Sequence, residues 1–297
     1  MKKPQWITIG VAIFLTISIF IFARRIPANR AVAETHSADD GHDHGTVDAG
    51  SLSIDSLIGT IKKQLSAQQV ATIAIMEGPV VGSNPVINGN KQVEQQLEAY
   101  HRLEHYWWDS IGYFPASIWY KAEAARLENS EKSLTFAAHL ILNNLQDGRD
   151  PDPAMIKWKG LQAKDLFERS LKINPDNDSS KVGLGACYLF GNISPAPMEG
   201  ILKVREVADR DTTNVYAQMT MVRGLLMTNQ LDKAISRLTT VSRVDKENVG
   251  ALVLLADIYT QQNNKPAAIE YYRKSLSYIK HPSDRQMIEQ RIRDLSK

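Results

Sequence analysis

The amino-acid sequence predicts an all-α protein, in which stacked helix pairs follow an N-terminal transmembrane helix. Two observations support this prediction. Residues 6–23 contain no charged side chain, and paired helical patterns in the last third of the chain recur at a spacing of 34 residues. The composition fits a chain with a buried core, because 43% of its 297 residues are hydrophobic and 23% are charged.

The N-terminal apolar segment is long enough to cross a bilayer. Residues 6–23 provide 18 positions, which rise about 27 Å as a helix, close to the thickness of the hydrocarbon core. A short basic tail, residues 1–5, precedes this segment. A cleaved signal peptide is the alternative, since residues 31–33 read Ala-Val-Ala. That site lies well beyond the apolar stretch, so the sequence favours a retained single-pass anchor.

The side of the membrane on which the rest of the chain lies stays open. N-terminal anchors most often project their domain out of the cytoplasm, which favours a periplasmic or extracytoplasmic location. Arg24 and Arg25 follow the span directly, and Arg30 lies a few residues further on. They count against that orientation, because positive charge accumulates on the cytoplasmic side.

Residues 24–50 are predicted to form a flexible linker, since they offer few apolar groups to offset the entropy of ordering. Six potential metal ligands lie in it: His36, His42, His44, Asp39, Asp40 and Asp43. Metal binding by this linker is therefore one alternative function. A flexible site binds weakly, so we favour a solvated spacer and expect no cofactor.

The segment 51–91 is predicted to contain two short helices and a loop. The helices are expected at 54–65 and 67–77, with Ser66 as a helix cap between them. Residues 78–90 are rich in glycine, proline and asparagine, which is typical of a loop.

The segment 92–161 is predicted to form degenerate helical repeats. Helices are expected at 92–110, 116–127 and 131–146, because apolar and small residues recur there on one helical face. A long loop at 147–153 follows the last of them.

The strongest pattern is self-similarity between two helix pairs. Ala234 matches Ala268, and Leu238 matches Tyr272, both at a spacing of 34 residues. In the preceding helices, the same spacing relates Val222 to Ala256 and Leu225 to Tyr259. One helix pair cannot bury its apolar faces alone, so the repeat indicates a stack.

These residues resemble the tetratricopeptide repeat family, whose unit is two antiparallel helices with small residues at their crossing. The resemblance implies a right-handed α-solenoid over residues 162–282, with 249–282 as its best unit. The unit 215–248 departs from the family pattern, since Gln218 replaces a preferred aromatic residue and Lys246 a preferred proline.

Residues 283–297 are predicted to form a capping helix that closes the stack. Ser283 and Gln286 form a capping-box pattern, and Ile288, Ile292 and Leu295 make an apolar stripe.

The resemblance also implies a concave groove lined by the first helix of each repeat, where a protein or peptide partner binds. The implied positions are Val182, Ala186, Leu189, Phe190, Tyr216, Met219, Arg223, Leu226, Met227, Val253, Asp257, Thr260 and Gln261. As partner-binding residues we single out Phe190, Tyr216, Met219, Arg223, Met227, Asp257 and Gln261. The apolar ones among the implied positions have a second interpretation, because each could instead pack against the next repeat.

One catalytic motif is present. His101, Glu104 and His105 fit H-x-x-E-H, in which two histidines one helical turn apart hold zinc and the glutamate acts as a general base. A third ligand would have to come from Glu123 or Glu128. A zinc-dependent hydrolase is thus a second alternative, but the five-residue pattern lacks the fold context of that family.

We therefore predict a membrane-tethered interaction scaffold or assembly factor, and not an enzyme. The formal charge of +2 implies no attraction to nucleic acid.

Overall fold

A computed structural model describes residues 52–81, 89–148, 150–194 and 197–297, all of which belong to one compact unit, residues 47–297. In these ranges the chain is all-α, as predicted, with one π-helical turn and no strand. The helices are α1 Ile54–Lys62, α2 Ala67–Val81, α3 Gly89–His105, α4 Phe114–Glu128, α5 Glu131–Gln146, α6 Pro153–Ile173, α7 Asp178–Phe190, α8 Met198–Arg210, α9 Val215–Met227, α10 Leu231–Val244, α11 Val249–Gln261, α12 Lys265–Leu276 and α13 Pro282–Leu295.

The helices from α3 to α12 associate as consecutive pairs. Each of α3, α5, α7, α9 and α11 packs most closely against the helix that follows it, and each of these pairs contacts the next along the chain. We call the two members of a pair its first and second helix. The first helices α5, α7 and α9 also contact one another in that order. The described residues therefore form a linear stack, as the 34-residue period predicted.

Asparagine side chains start three of the first helices. Asn177, Asn214 and Asn248 each accept a hydrogen bond of 2.9 Å from the backbone N–H three residues further on. Such a cap satisfies an N–H group that would otherwise lack an intrahelical partner.

Asparagine also makes the turn from first to second helix. Asn192, Asn229 and Asn263 have φ angles of 50°, 54° and 59°. After glycine, asparagine is among the residues that adopt this left-handed conformation most readily. The same residue type thus serves two different turns of the repeat.

Small residues allow the two helices of a pair to cross closely. In the pair α7 and α8, a Cβ atom on Gly200 would overlap the carbonyl oxygen of Gly185 and lie 2.8 Å from the Cβ of Tyr188. In the pair α11 and α12, Ala256 and Ala268 are fully buried. The small residues at the crossing, implied by the family resemblance, are confirmed.

The buried apolar side chains form a series of clusters along the stack. One cluster joins the helices up to α7, a second joins α7 to α9, a third joins α9 to α11, and the last joins α11 to α13. The last three clusters each involve only three consecutive helices, which is the arrangement expected of a solenoid.

The first two helices agree with the sequence except at their C-terminal ends, since α1 ends at Lys62 and not at residue 65. Ser66 caps α2 as predicted. Its hydroxyl accepts a hydrogen bond from the backbone N–H of Gln69, and the Gln69 side-chain oxygen accepts one from the backbone N–H of Ser66. The expected loop at 78–90 begins too early, because α2 continues through Pro79 to Val81. Proline cannot donate a backbone hydrogen bond, but only the final turn follows it here.

The predicted capping box at Ser283 is wrong. The helix α13 begins one residue earlier, at Pro282, and the Ser283 hydroxyl contacts the side chains of His281 and Asp284 instead. Proline favours the first helical position because its φ angle is already helical. The apolar stripe is present, and Ile288 is its buried member.

The predicted anchor at 6–23 and the His/Asp linker at 24–50 lie outside the described residues. Within the ranges that are described, no helix has the length and apolar character needed to cross a bilayer.

Candidate functional site: the first-helix face

The exposed side of α5, α7, α9 and α11 is the candidate interaction surface, which we call the first-helix face. Three predicted partner-binding residues are exposed on it, namely Arg223, Met227 and Gln261. Met227 is the most apolar of them and is 65% exposed. An exposed methionine suits a surface that adapts to an apolar partner.

The other predicted residues of this face are partly or fully buried. Phe190, Tyr216, Met219 and Asp257 are partly buried, as are Leu226, Val253 and Thr260. Val182, Ala186 and Leu189 are buried between α7 and its neighbours. For these three residues the packing interpretation is the one that the geometry supports.

Arg223 links helices that are two pairs apart. Its guanidinium on α9 donates a hydrogen bond to the side-chain oxygen of Gln146, the last residue of α5. The helix α7 lies between them and contacts both. The three first helices therefore share one continuous surface.

An aromatic cluster lies below this surface. The His139 ring on α5 makes edge-on contacts with Phe167 and Tyr216, at centroid distances of 5.0 Å and 5.4 Å. His139 Nε2 is 2.7 Å from the Ser179 hydroxyl. Burial lowers the pKa of His139 and raises that of Tyr216. Both side chains are therefore neutral at pH 7 and position the three helices rather than carry charge.

Two buried polar atoms near Arg223 have no hydrogen-bond partner among the described residues. They are the hydroxyl oxygen of Tyr216 and the side-chain nitrogen of Gln146. An unpartnered buried donor costs about 1–3 kcal/mol. A ligand group that accepts hydrogen bonds would reduce this cost if the side chains rotated towards it.

Asp257 makes its contacts within the molecule. Its carboxylate accepts hydrogen bonds from the Tyr272 hydroxyl on α12 and from Arg291 on α13, the latter at 2.5 Å. Burial and then the Asp257 hydrogen bond raise the pKa of Tyr272. Through these two hydrogen bonds, Asp257 on α11 helps to hold α13 against the last helix pair.

The sequence did not identify the part of the face that α5 provides. Phe136 is 60% exposed there, and the ammonium of Lys121 lies 5.5 Å from its ring centroid. Lys132 lies beside it on the surface. Extending the repeat register back to residue 131 would have placed Lys132 and His139 at the positions equivalent to Tyr216 and Arg223, but it would not have identified Phe136.

The H-x-x-E-H motif is not arranged as a metal site. Glu104 forms an ion pair with Lys121 at 3.0 Å, and His105 faces Asp109 at 3.6 Å. The suggested third ligands are also engaged, since Glu123 pairs with Arg126 and Glu128 accepts from Ser130. Among the described residues, no three potential metal ligands come together. The zinc-hydrolase alternative therefore has no structural support.

The lone cysteine offers no reactive thiol. Cys187 is buried on α7, and burial raises the pKa of its thiol. The thiolate fraction is therefore low, and Cys187 serves as a core residue.

Comparison with known proteins agrees with the repeat assignment. Residues 249–281 match the tetratricopeptide repeat family. This segment contains α11 and α12, the pair that matched the family pattern best in the sequence. No curated protein sequence matches the chain.

Two solved structures are similar to the chain at low identity. One is MamA, from residue 41 to the end, of Desulfovibrio magneticus RS-1, with 18% identity, a TM-score of 0.42, and coverage of 62% of this chain and 94% of that one. The other is YrrB, a tetratricopeptide repeat protein with an unusual peptide-binding site, with 16% identity, a TM-score of 0.41, and coverage of 69% and 95%. These values are too low to support a conclusion about function. Residues 249–281 therefore match one tetratricopeptide repeat, and the helix pairs that precede them repeat the same two-helix arrangement.

Proposed function

We propose that the chain is a membrane-tethered, non-catalytic scaffold that holds a protein or peptide partner on its first-helix face. The observation that carries this proposal is the hydrogen bond from Arg223 to Gln146, which joins three first helices in one surface. As its specific role we propose an assembly factor for an envelope complex, in keeping with the N-terminal anchor that the sequence predicts.

The chemistry of the face favours a partner with apolar and acidic side chains. Phe136 and Met227 provide exposed apolar area, and Lys132 and Arg223 provide positive charge. Asp257 already has two donors, so the face offers little negative charge to a partner. An acidic side chain could replace Gln146 as the acceptor for Arg223, with a charge-assisted and therefore stronger bond.

Affinity capture with the full-length, membrane-extracted protein tests this function. We expect a partner that binds the wild type and is lost from the double variant Arg223→Glu, Met227→Glu. The control is Arg273→Glu, Ile173→Glu, which also replaces one arginine and one exposed apolar residue by glutamate, but on second helices. Loss of the partner from both variants, or from neither, would contradict a role for the first-helix face.

The tether is tested separately by membrane fractionation. We expect the full-length protein to sediment with membranes and to resist extraction at high pH. The double variant Ile13→Arg, Ile17→Arg is expected to become soluble, because each central arginine costs about 2.5–3.5 kcal/mol in a bilayer. Membrane association that survives both substitutions would exclude residues 6–23 as the anchor.

A further inference from the structure

A second surface lies on the other side of α9, between the second helices α8 and α10. The three helices line a cavity of about 740 Å³, which we call the seam pocket. Its lining includes Met198, Ile201, Arg205, Asp209, Gln218, Met221, Leu225, Lys233 and Arg237. None of the predicted partner-binding residues lines it. The seam pocket is therefore separate from the first-helix face.

Gln218 is a buried polar residue in the lining of the seam pocket. This side chain occupies the position where the family prefers an aromatic residue, and it is only 3% exposed. Its amide nitrogen donates to the carbonyl oxygen of Ala208 at 2.6 Å, and its oxygen accepts from Arg237 at 2.8 Å. In the next repeat the equivalent position is the apolar Leu252. An aromatic ring at this position could not make both of these hydrogen bonds.

The charged groups around the seam pocket are mainly positive. Arg205, Lys233 and Arg237 line it, against one carboxylate, that of Asp209. Arg237 pairs with Asp209 at 2.9 Å, whereas Lys233 bonds only to the neutral side chain of Gln230. In the part of the chain that the structure describes, Arg205 forms no ion pair. Two cations are thus available to an anionic group.

The shape of the seam pocket suits a peptide. On α10 its lining residues lie at 233, 236, 237 and 240. On α8 they lie at 198, 201, 205, 208 and 209, and Thr212 follows just after the end of this helix. These spacings follow one face of each helix. The α8 row extends over 15 residues, or about 20 Å. Such a channel matches an extended segment of about six residues.

We propose that the seam pocket binds a peptide segment of a partner protein in which an acidic side chain lies next to apolar ones. The acidic group faces Arg205 and Lys233, and the apolar groups face Met198, Ile201 and Met221. Because this site and the first-helix face are separate, the scaffold can hold two partners at the same time.

Selection from a random peptide display library on the full-length, membrane-extracted protein tests this proposal. Among the enriched peptides we expect a group that combines an acidic residue with apolar neighbours. Their affinity is expected to fall about tenfold or more with Arg205→Glu, Lys233→Glu, in line with the loss of a charged hydrogen bond. Changing the acidic residue of the peptide to its amide is expected to have a similar effect.

Control variants separate this site from the first-helix face and from loss of folding. Arg243→Glu, Lys246→Glu makes the same charge change outside the seam pocket and is expected to leave affinity unchanged. Gln218→Leu introduces the residue of the next repeat and is expected to weaken binding while the helical circular dichroism persists. The proposal is overturned if no such peptide is enriched, if only inorganic phosphate binds, or if binding depends on Arg223 and Met227 instead.

Discussion

Gly200 shows how a single residue fixes the distance between two helices. The change Gly200→Ala is expected to destabilise the protein by about 1–3 kcal/mol, because the new methyl group overlaps the backbone of α7. The control is Gly59→Ala on α1, where a Cβ atom meets nothing within 4 Å. That change should stabilise the helix by about 0.5–1 kcal/mol. Thermal unfolding of both variants measures these changes in stability. An equal change in melting temperature for the two variants would contradict the close crossing of α7 and α8.

His139 makes stability depend on pH. Its pKa is lowered by burial in the folded protein, so below its ordinary pKa of about 6.5 the unfolded chain binds the proton more readily. Acidification from about pH 7 to pH 5 is therefore expected to lower the melting temperature. The loss should be smaller in His139→Phe, which keeps the ring contacts with Phe167 and Tyr216. An unchanged pH dependence in this variant would remove His139 from the explanation.

At the residue scale, the sequence identified side chains whose spacing repeats. Ala234 and Ala268 are 34 residues apart, and both are fully buried as expected. Gln146 could not be identified in this way, because its bond to Arg223 depends on how three helices stack. Contacts that skip one repeat leave no periodic signal in the sequence.

The capping helix α13 stabilises the end of the stack. Ile288 is buried against Ala256 and Tyr272, so Ile288→Ala is expected to cost about 2–4 kcal/mol. The neighbouring Met287 is 51% exposed, and Met287→Ala is expected to have little effect. Hydrogen exchange should show faster opening of α11 and α12 in Ile288→Ala, with α5 to α8 unaffected. Uniformly faster exchange throughout would contradict the series of separate clusters.

Helix boundaries were predicted well where the local sequence decides them. The helix expected at 131–146 is α5 with the same bounds, since Ser130 caps its start. The boundary placed at residue 162 instead falls inside α6, which begins at Pro153. The π-helical turn Tyr106–Ile111, which ends at Gly112 with a φ angle of 72°, was also not predicted. It depends on how Trp107 packs into the core, which no helical period encodes.

For the whole molecule, the 34-residue period was sufficient to predict a linear stack, because each helix pair must bury its faces against neighbours. The period says nothing about the spaces left between pairs. The seam pocket is lined in part by the almost fully buried Gln218, at a position where the family resemblance implies an aromatic residue. Its charge depends on Arg205 and Lys233 from two different helices, which only the folded chain brings together.

Site-specific photo-crosslinking in the full-length protein tests the proposed scaffold most directly. A photoreactive residue would replace Met227 or Gln261 on the first-helix face, or Ile173 at the end of α6 as the control. We expect a partner to crosslink at both first-helix positions and not at the control. Crosslinks at residue 173 alone, or no crosslink at 227 and 261, would contradict the assignment of this face as the partner-binding surface.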